Sequence, residues 1–200
     1  METNILNKSV ELFLLYGFKS VTMDDIAKEM AISKKTIYKY FPHKLDLIQA
    51  SIVLIQQTVD NMIREIVEKN YNAIEENFVI KSVFKEMFKK TKTSPMFQLK
   101  KYYPDIYQVL VENQICTFSE CIHENLQKGI NEKLYRPEID KDMIMKFYFT
   151  LVYGAYEGEL FGSNMEDIIK MELKILEYHT RSIATTKGVK ILEEQLTNYK

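Results

Sequence analysis

Proline and glycine are scarce in this chain, at 4 and 6 in 200 residues. Long stretches contain neither, and Leu, Ile, Met, Lys and Glu fill them, a composition that favours helix. No alternation of apolar and polar residues is long enough to suggest a strand. There are only 2 cysteines, Cys116 and Cys121. A disulfide framework or a four-ligand zinc site needs more, so they read as buried thiols in a reducing compartment. No stretch reaches the roughly 18 apolar residues of a spanning helix. The most apolar run, Met143 to Tyr153, is short and holds Lys146. Glu2, Asn4, Lys8 and Glu11 interrupt the N-terminal segment, which argues against a signal peptide. The expectation is an all-α cytoplasmic protein with no membrane partner.

A strong charge of one sign is also missing. The net charge is −1, so nucleic-acid binding would need a local patch. One segment supplies it. AISKKTIYKYFPHK, from Ala31 to Lys44, carries four lysines, one histidine and no acid.

The residues before this segment place it on a helix. Ile5, Leu6, Ser9, Val10, Leu12, Phe13 and Tyr16 recur at helical spacing over about residues 4–16, and Gly17 suits the helix end. Thr22 and Asp25 form a [ST]-x-x-[DE] capping box for a short second helix that buries Ile26, Ala27 and Met30. After a tight connection at Ala31 and Ile32, Ser33 caps a third helix from Lys34 to about Phe41. Two short helices joined by such a turn make a helix-turn-helix unit.

Ile37 and Phe41 hold the third helix to the fold, leaving Lys34, Lys35, Thr36, Tyr38, Lys39 and Tyr40 on the other arc. Lysines neutralise phosphates and release counterions, while hydroxyls fix register or reach base edges. Pro42 stops the helix. His43 and Lys44 then open a fourth helix whose N-terminus suits another phosphate. The candidate DNA-binding residues are Thr22, Ser33, Lys34, Lys35, Thr36, Tyr38, Lys39, Tyr40, His43 and Lys44. A run of lysines alone is usually a solvated face; its place behind a cap, with interleaved tyrosines, favours DNA.

The stretch TMDDIAKEMAISKKTIYKYFPHKLDL, with Phe13, Gly17 and Phe18 leading into Thr22, resembles the N-terminal signature of the TetR family of bacterial transcriptional regulators. The resemblance covers about residues 4–48. It implies a homodimeric DNA-binding protein with an all-helical C-terminal regulatory domain. It also implies phosphate contacts for Tyr38 and Lys44, and variable recognition positions at Lys34, Lys35, Thr36 and Lys39. Ala31 stands where the family often has glycine, which suggests either a turn with negative φ or mild strain. Ser9 stands where the family often has alanine.

Beyond the head, the apolar period runs from Lys44 to about residue 68 as one long helix, a lever between two domains at 1–48 and 49–200. Helices follow at about 73–91 and 95–102, with Pro95 in a first turn, and at about 105–128, closed by Gly129. The lysine-rich segment Lys81–Lys101 reads as a solvated surface. Asp140 caps a helix that is apolar nearly all round, and Gly162 ends it. Ser163 and Glu166 suggest a capping box for the next helix. Gly188 reads as a break before a short terminal helix.

Burial on nearly all sides makes a second protomer the natural cover for part of the helix after Asp140. The candidate dimer residues are Phe149, Val152, Tyr156, Gly154, Gly158, Met165, Ile169 and Leu176. Met87, Tyr102, Tyr103, Tyr107, Phe118, Phe147 and Tyr148 are candidates for an effector pocket, against the plainer reading that they are core.

The leading expectation is a repressor released from double-stranded operator DNA by a small-molecule effector, with a ligand-responsive activator of the same fold as the alternative. An enzyme is not expected, since Cys116 and His123 lie two helical turns apart without an orienting third group. His123 and His179 are each isolated, so neither suggests a metal site, and no cofactor is expected. A helical interaction module would not need the lysine and tyrosine arc.

Overall fold

The computed structural model describes residues 1–156 and 161–199. Among them ten helices follow in order: α1 Glu2–Tyr16, α2 Met23–Glu29, α3 Lys34–Tyr38, α4 Lys44–Val67, α5 Ala73–Phe88, α6 Pro95–Tyr102, α7 Pro104–Asn131, α8 Lys141–Tyr156, α9 Met165–Ile183 and α10 Thr186–Asn198. The described residues form no strand, only isolated bridges at Thr93–Asn164 and Tyr135–Ala184. The all-α expectation holds. No described helix is long and apolar enough to cross a membrane.

The N-terminal helices form where their caps say. Thr22 N and Oγ1 donate to Asp25 Oδ2 at 2.8 and 2.7 Å, and Asp25 N donates back to Thr22 Oγ1. Ser33 Oγ accepts from Thr36 N at 3.1 Å. These bonds satisfy donors that a helix start leaves unpaired. The turn between α2 and α3 carries strain, because Ala31 has φ 52°. Of the two readings of that alanine, the negative-φ turn is overturned.

Three apolar clusters organise the chain. The first gathers Ile5, Phe13, Phe18, Ile26, Ile37, Leu47 and Ile48 from α1 to α4 and their connections. Full burial of each such side chain is worth about 1.5–3 kcal/mol. This cluster also takes in Ile52, Leu99, Ile106 and Leu110 from α4, α6 and α7. The expected division at 48/49 therefore falls inside α4, and the head packs directly on α6 and α7. A second cluster joins Ile74 and Phe78 to Leu126, Leu134, Tyr135, Leu176, Ile183 and Leu192. A third holds Phe88, Met165 and Ile168.

Several C-terminal details differ from the sequence reading. Gly129 does not close α7 but lies within it, with the Tyr135 ring where a Cβ would be. Gly188 sits in the first turn of α10, and the Leu134 carbonyl occupies its Cβ position. Close approach, rather than helix termination, explains both glycines. Asn164, not Ser163, caps α9, its Oδ1 accepting from Glu166 N at 2.9 Å. Asp140 Oδ1 does accept from Met143 N, at 3.0 Å.

Candidate nucleic-acid interface and interior cavity

α3 presents two faces. Ile37 is fully buried and Phe41 nearly so. Lys34, Lys35, Tyr38 and Lys39 are exposed, with Thr22, Ser33 and His43 beside them at the surface. Thr36, Tyr40 and Lys44, the other candidates, are half-buried.

Its members are not equivalent. Lys34 forms an ion pair with Asp24 of α2. The hydroxyls of Ser33 and Thr36 share a hydrogen bond at 2.9 Å, so Thr36 is partly occupied by the cap. Tyr40 is half-buried against the head core, with the Lys39 ammonium 5.8 Å from its ring centre. His43 N donates to Asp46 Oδ2 at 2.8 Å, capping α4. Lys44 Nζ donates to the Lys19 carbonyl at 3.1 Å. Burial pushes the Lys44 ammonium below its usual pKa, against the pull of Asp25. Lys35 and Tyr38 of α3, with Lys39 just after it, remain exposed.

The second feature is a cavity of about 210 Å³ between α4, α5, α6, α7, α8 and α9. Ile52, Val59, Leu99, Leu110, Phe118, Val152 and Leu176 form part of its apolar wall. Its charged groups come from two places. Lys81 Nζ donates to Glu172 Oε1 at 2.7 Å, and both side chains are largely buried. Tyr148 bonds Lys81, and Tyr156 bonds Glu172. Burial acts to lower the Lys81 pKa, but Glu172 and Tyr148 outweigh it and the net shift is upward. The His179 ring lies tilted at 47° against that of Tyr148, with ring centres 4.5 Å apart. Burial, with the Lys81 charge, pushes the His179 pKa down to about 4. At the other place Glu76 accepts from Asn125 Nδ2 and Lys128 Nζ, at 2.6 and 2.7 Å.

Of the pocket candidates, Phe118 and Tyr148 line this cavity. The other five lie elsewhere. Tyr103 and Tyr107 pack on the head core, and the Tyr103 hydroxyl donates to the Phe18 carbonyl at 3.4 Å. Tyr102 lies at the surface under the Lys19 ammonium. Met87 packs with the third cluster, and Phe147 is 57% exposed.

The dimer candidates divide too. Phe149, Val152, Tyr156, Met165 and Leu176 line the cavity, so they face inward. Ile169 is half-buried in the third cluster, and Gly154 faces open space. Gly158 lies outside the described residues. An all-apolar helix hides which stripe points in. On α8 the outer stripe is Met143, Phe147 and Leu151.

Lys81 and Glu172 were missed. The surface reading of Lys81 is overturned, because it is buried in an ion pair. A helical signal existed: Lys81 follows Ile74 and Phe78 at core spacing, and Glu172 sits between Ile168 and Ile175. The thiols also differ from expectation. Cys116 is exposed, and Cys121 is half-buried at the cavity wall.

Residues 5–51 match the model for bacterial regulatory proteins of the tetR family. The N-terminal head belongs to the TetR family. The chain is a DNA-binding transcriptional regulator, and that family is not one of enzymes. The HTH-type transcriptional regulator UidR of Escherichia coli strain K12 is 25% identical to this chain over 167 residues, covering 76% of this chain and 78% of UidR. The biofilm operon icaADBC HTH-type negative transcriptional regulator IcaR of Staphylococcus aureus strain Newman is 26% identical over 148 residues, covering 74% of this chain and 69% of IcaR. A transcriptional regulator from Cytophaga hutchinsonii ATCC 33406 shares the fold with a TM-score of 0.74 at 21% identity, over 92% of this chain and 98% of that one.

Proposed function

We propose that this chain is a homodimeric repressor that a small molecule in the interior cavity releases from its operator. The observation that carries the reading is the double role of Leu99. It lines the cavity and belongs to the core of the DNA-binding head, as Ile52 and Leu110 also do. A molecule that displaces α6 therefore repacks the head. Release requires that the effector bind the DNA-incompetent arrangement more tightly than the competent one. The repressing sign draws its support from IcaR, a negative regulator.

In this reading Lys35, Lys39 and Tyr38 reach the operator first. Lys34 exchanges Asp24 for phosphate, while Lys44 positions the loop at Lys19. Ser33, Thr22 and His43 act mainly through the helix starts they cap. The second protomer covers the outer stripe of α8 and the neighbouring face of α9, where Met143, Phe147, Leu151 and Tyr178 are exposed. Dimerisation would set two copies of α3 about 34–36 Å apart, in successive major grooves.

The test is a gel shift on a DNA fragment selected by the protein from a random-sequence pool. Lys35→Ala should weaken binding and flatten the log–log salt dependence by about one unit. Tyr38→Phe should weaken binding by about 0.5–1.5 kcal/mol. Unchanged binding in both variants sinks the assignment of α3 as the reading helix.

A further inference from the structure

The cavity has a definite charge balance. Three ionised side chains line it among the described residues: Glu76, Lys81 and Glu172. Lys81 and Glu172 neutralise one another at 2.7 Å. Glu76 is neutralised from behind by Lys128, which is not part of the wall, and its other oxygen is held by Asn125. His179, also in the wall, is uncharged at neutral pH because burial and Lys81 disfavour its proton. Every charge facing the space is therefore already answered by a protein group.

Most of the remaining wall is hydrocarbon, with phenols from Tyr148, Tyr153 and Tyr156 and the amides of Gln56, Asn77, Gln114 and Asn125. A charged ligand entering here would lose its water and find no unpaired counter-charge. That desolvation costs several kcal/mol unless an ion pair is broken to compensate it. An uncharged ligand meets no such penalty. Its apolar body gains from the wall, and a hydroxyl or carbonyl can bond the phenols, the amides or the paired Lys81 and Glu172.

We infer that the cavity selects an uncharged, predominantly apolar molecule with a single hydroxyl or carbonyl head, and rejects carboxylates and ammonium ions of the same length. The inference rests on the cavity being the effector site. It also assigns the Lys81–Glu172 pair a role in specificity: the pair sets the charge of acceptable ligands by cancelling itself.

Three probes of equal chain length test this: 1-octanol, octanoate and octylammonium, titrated into the full chain by calorimetry at neutral pH. The wild type should bind octanol at least about tenfold more tightly than either ion. Glu172→Gln leaves Lys81 unpaired and should shift the preference to octanoate. Lys81→Met leaves Glu172 unpaired and should shift it to octylammonium. Either single variant could fail to fold, so the double variant Lys81→Met with Glu172→Leu is the control. It should keep octanol and still reject both ions. A wild type that prefers either ion overturns the inference, as does a double variant that gains one. Filling the cavity with Val152→Phe separates the two readings. If octanol binding survives that change undiminished, or if no probe binds the wild type, the cavity is not a ligand site. If an ion is preferred and Val152→Phe abolishes its binding, the site stands and only the charge argument fails.

Discussion

The Phe18 backbone N–H donates to Gln98 Oε1 at 2.9 Å, across 80 residues of sequence, joining the first connection of the head to α6. Gly17 allows this approach. It has φ 94°, and a Cβ there would lie 2.5 Å from the same oxygen. Gln98 Nε2 is held in turn by the Thr93 carbonyl at 3.2 Å. Replacing Gln98 with Leu should leave a buried donor unpaired at a cost of about 1–3 kcal/mol. Denaturant melts would measure the loss, and hydrogen exchange should show faster opening at the Phe18 amide. Unaltered exchange there would mean that the bond does not hold the connection.

The turn before α3 offers a gain rather than a loss. Ala31 at φ 52° has the left-handed conformation that glycine adopts without a Cβ conflict. Ala31→Gly should relieve strain of about 1 kcal/mol, partly offset by the looser unfolded chain, for a net stabilisation of about 0.5 kcal/mol. A lower melting midpoint in this variant would contradict the strain reading.

His179 gives the fold a pH dependence. Its pKa is about 4 in the folded chain, against an ordinary value of 6.5. Above pH 6.5 both folded and unfolded chains hold the neutral ring and the shift has no effect. As pH falls through 6.5 the unfolded chain takes a proton that the folded chain refuses, so stability drops until the folded pKa near 4 is reached. Between pH 7.5 and 5 this term should amount to about 2 kcal/mol. His179→Gln should remove that portion of the slope. The comparison is the difference between wild-type and variant denaturant midpoints at the two pH values, because Lys81 and Tyr148 stand beside this position in both proteins. A slope unchanged in the variant would assign the pH dependence to other groups.

A charge on the outer stripe of α8 tests the proposed assembly. Phe147 is 57% exposed in the single chain. Phe147→Glu should convert dimer to monomer in sedimentation equilibrium while leaving the helical circular dichroism intact, since the side chain contributes little to the core of one protomer. Operator binding should fall with it, because single heads lose the paired half-sites. A variant that stays dimeric would move the interface to another face.

The head was legible in the sequence because every signal there is local. Thr22 with Asp25, Ser33 and Pro42 each act within a turn of their own position, and the Ile37–Phe41 spacing fixes the buried side of α3. The lever, the Pro95 start and the Asp140 cap were legible for the same reason. The cavity was not, because its walls come from six helices and its polar pair spans 91 residues. Aromatic content pointed to Tyr103 and Tyr107, which serve the head core. Lys81, counted with its basic neighbours, looked like surface. On α8, apolar residues on both faces left no amphipathic contrast from which to separate wall from exterior. Gly129 and Gly188 looked like stops because their reason, a ring or a carbonyl from a distant turn, is invisible along the chain.

Leu99 stands in the wall of the cavity and in the core of the head at once. This constrains how the protein can change over generations. A substitution at Leu99, Ile52 or Leu110 that reshapes the cavity also disturbs the packing that holds the head. Under the proposed function, ligand choice can be retuned freely only at wall positions away from the head, such as Phe118, Val152 or Tyr153. Ligand preference should then drift from that far end, with the near end held fixed by its service to the head.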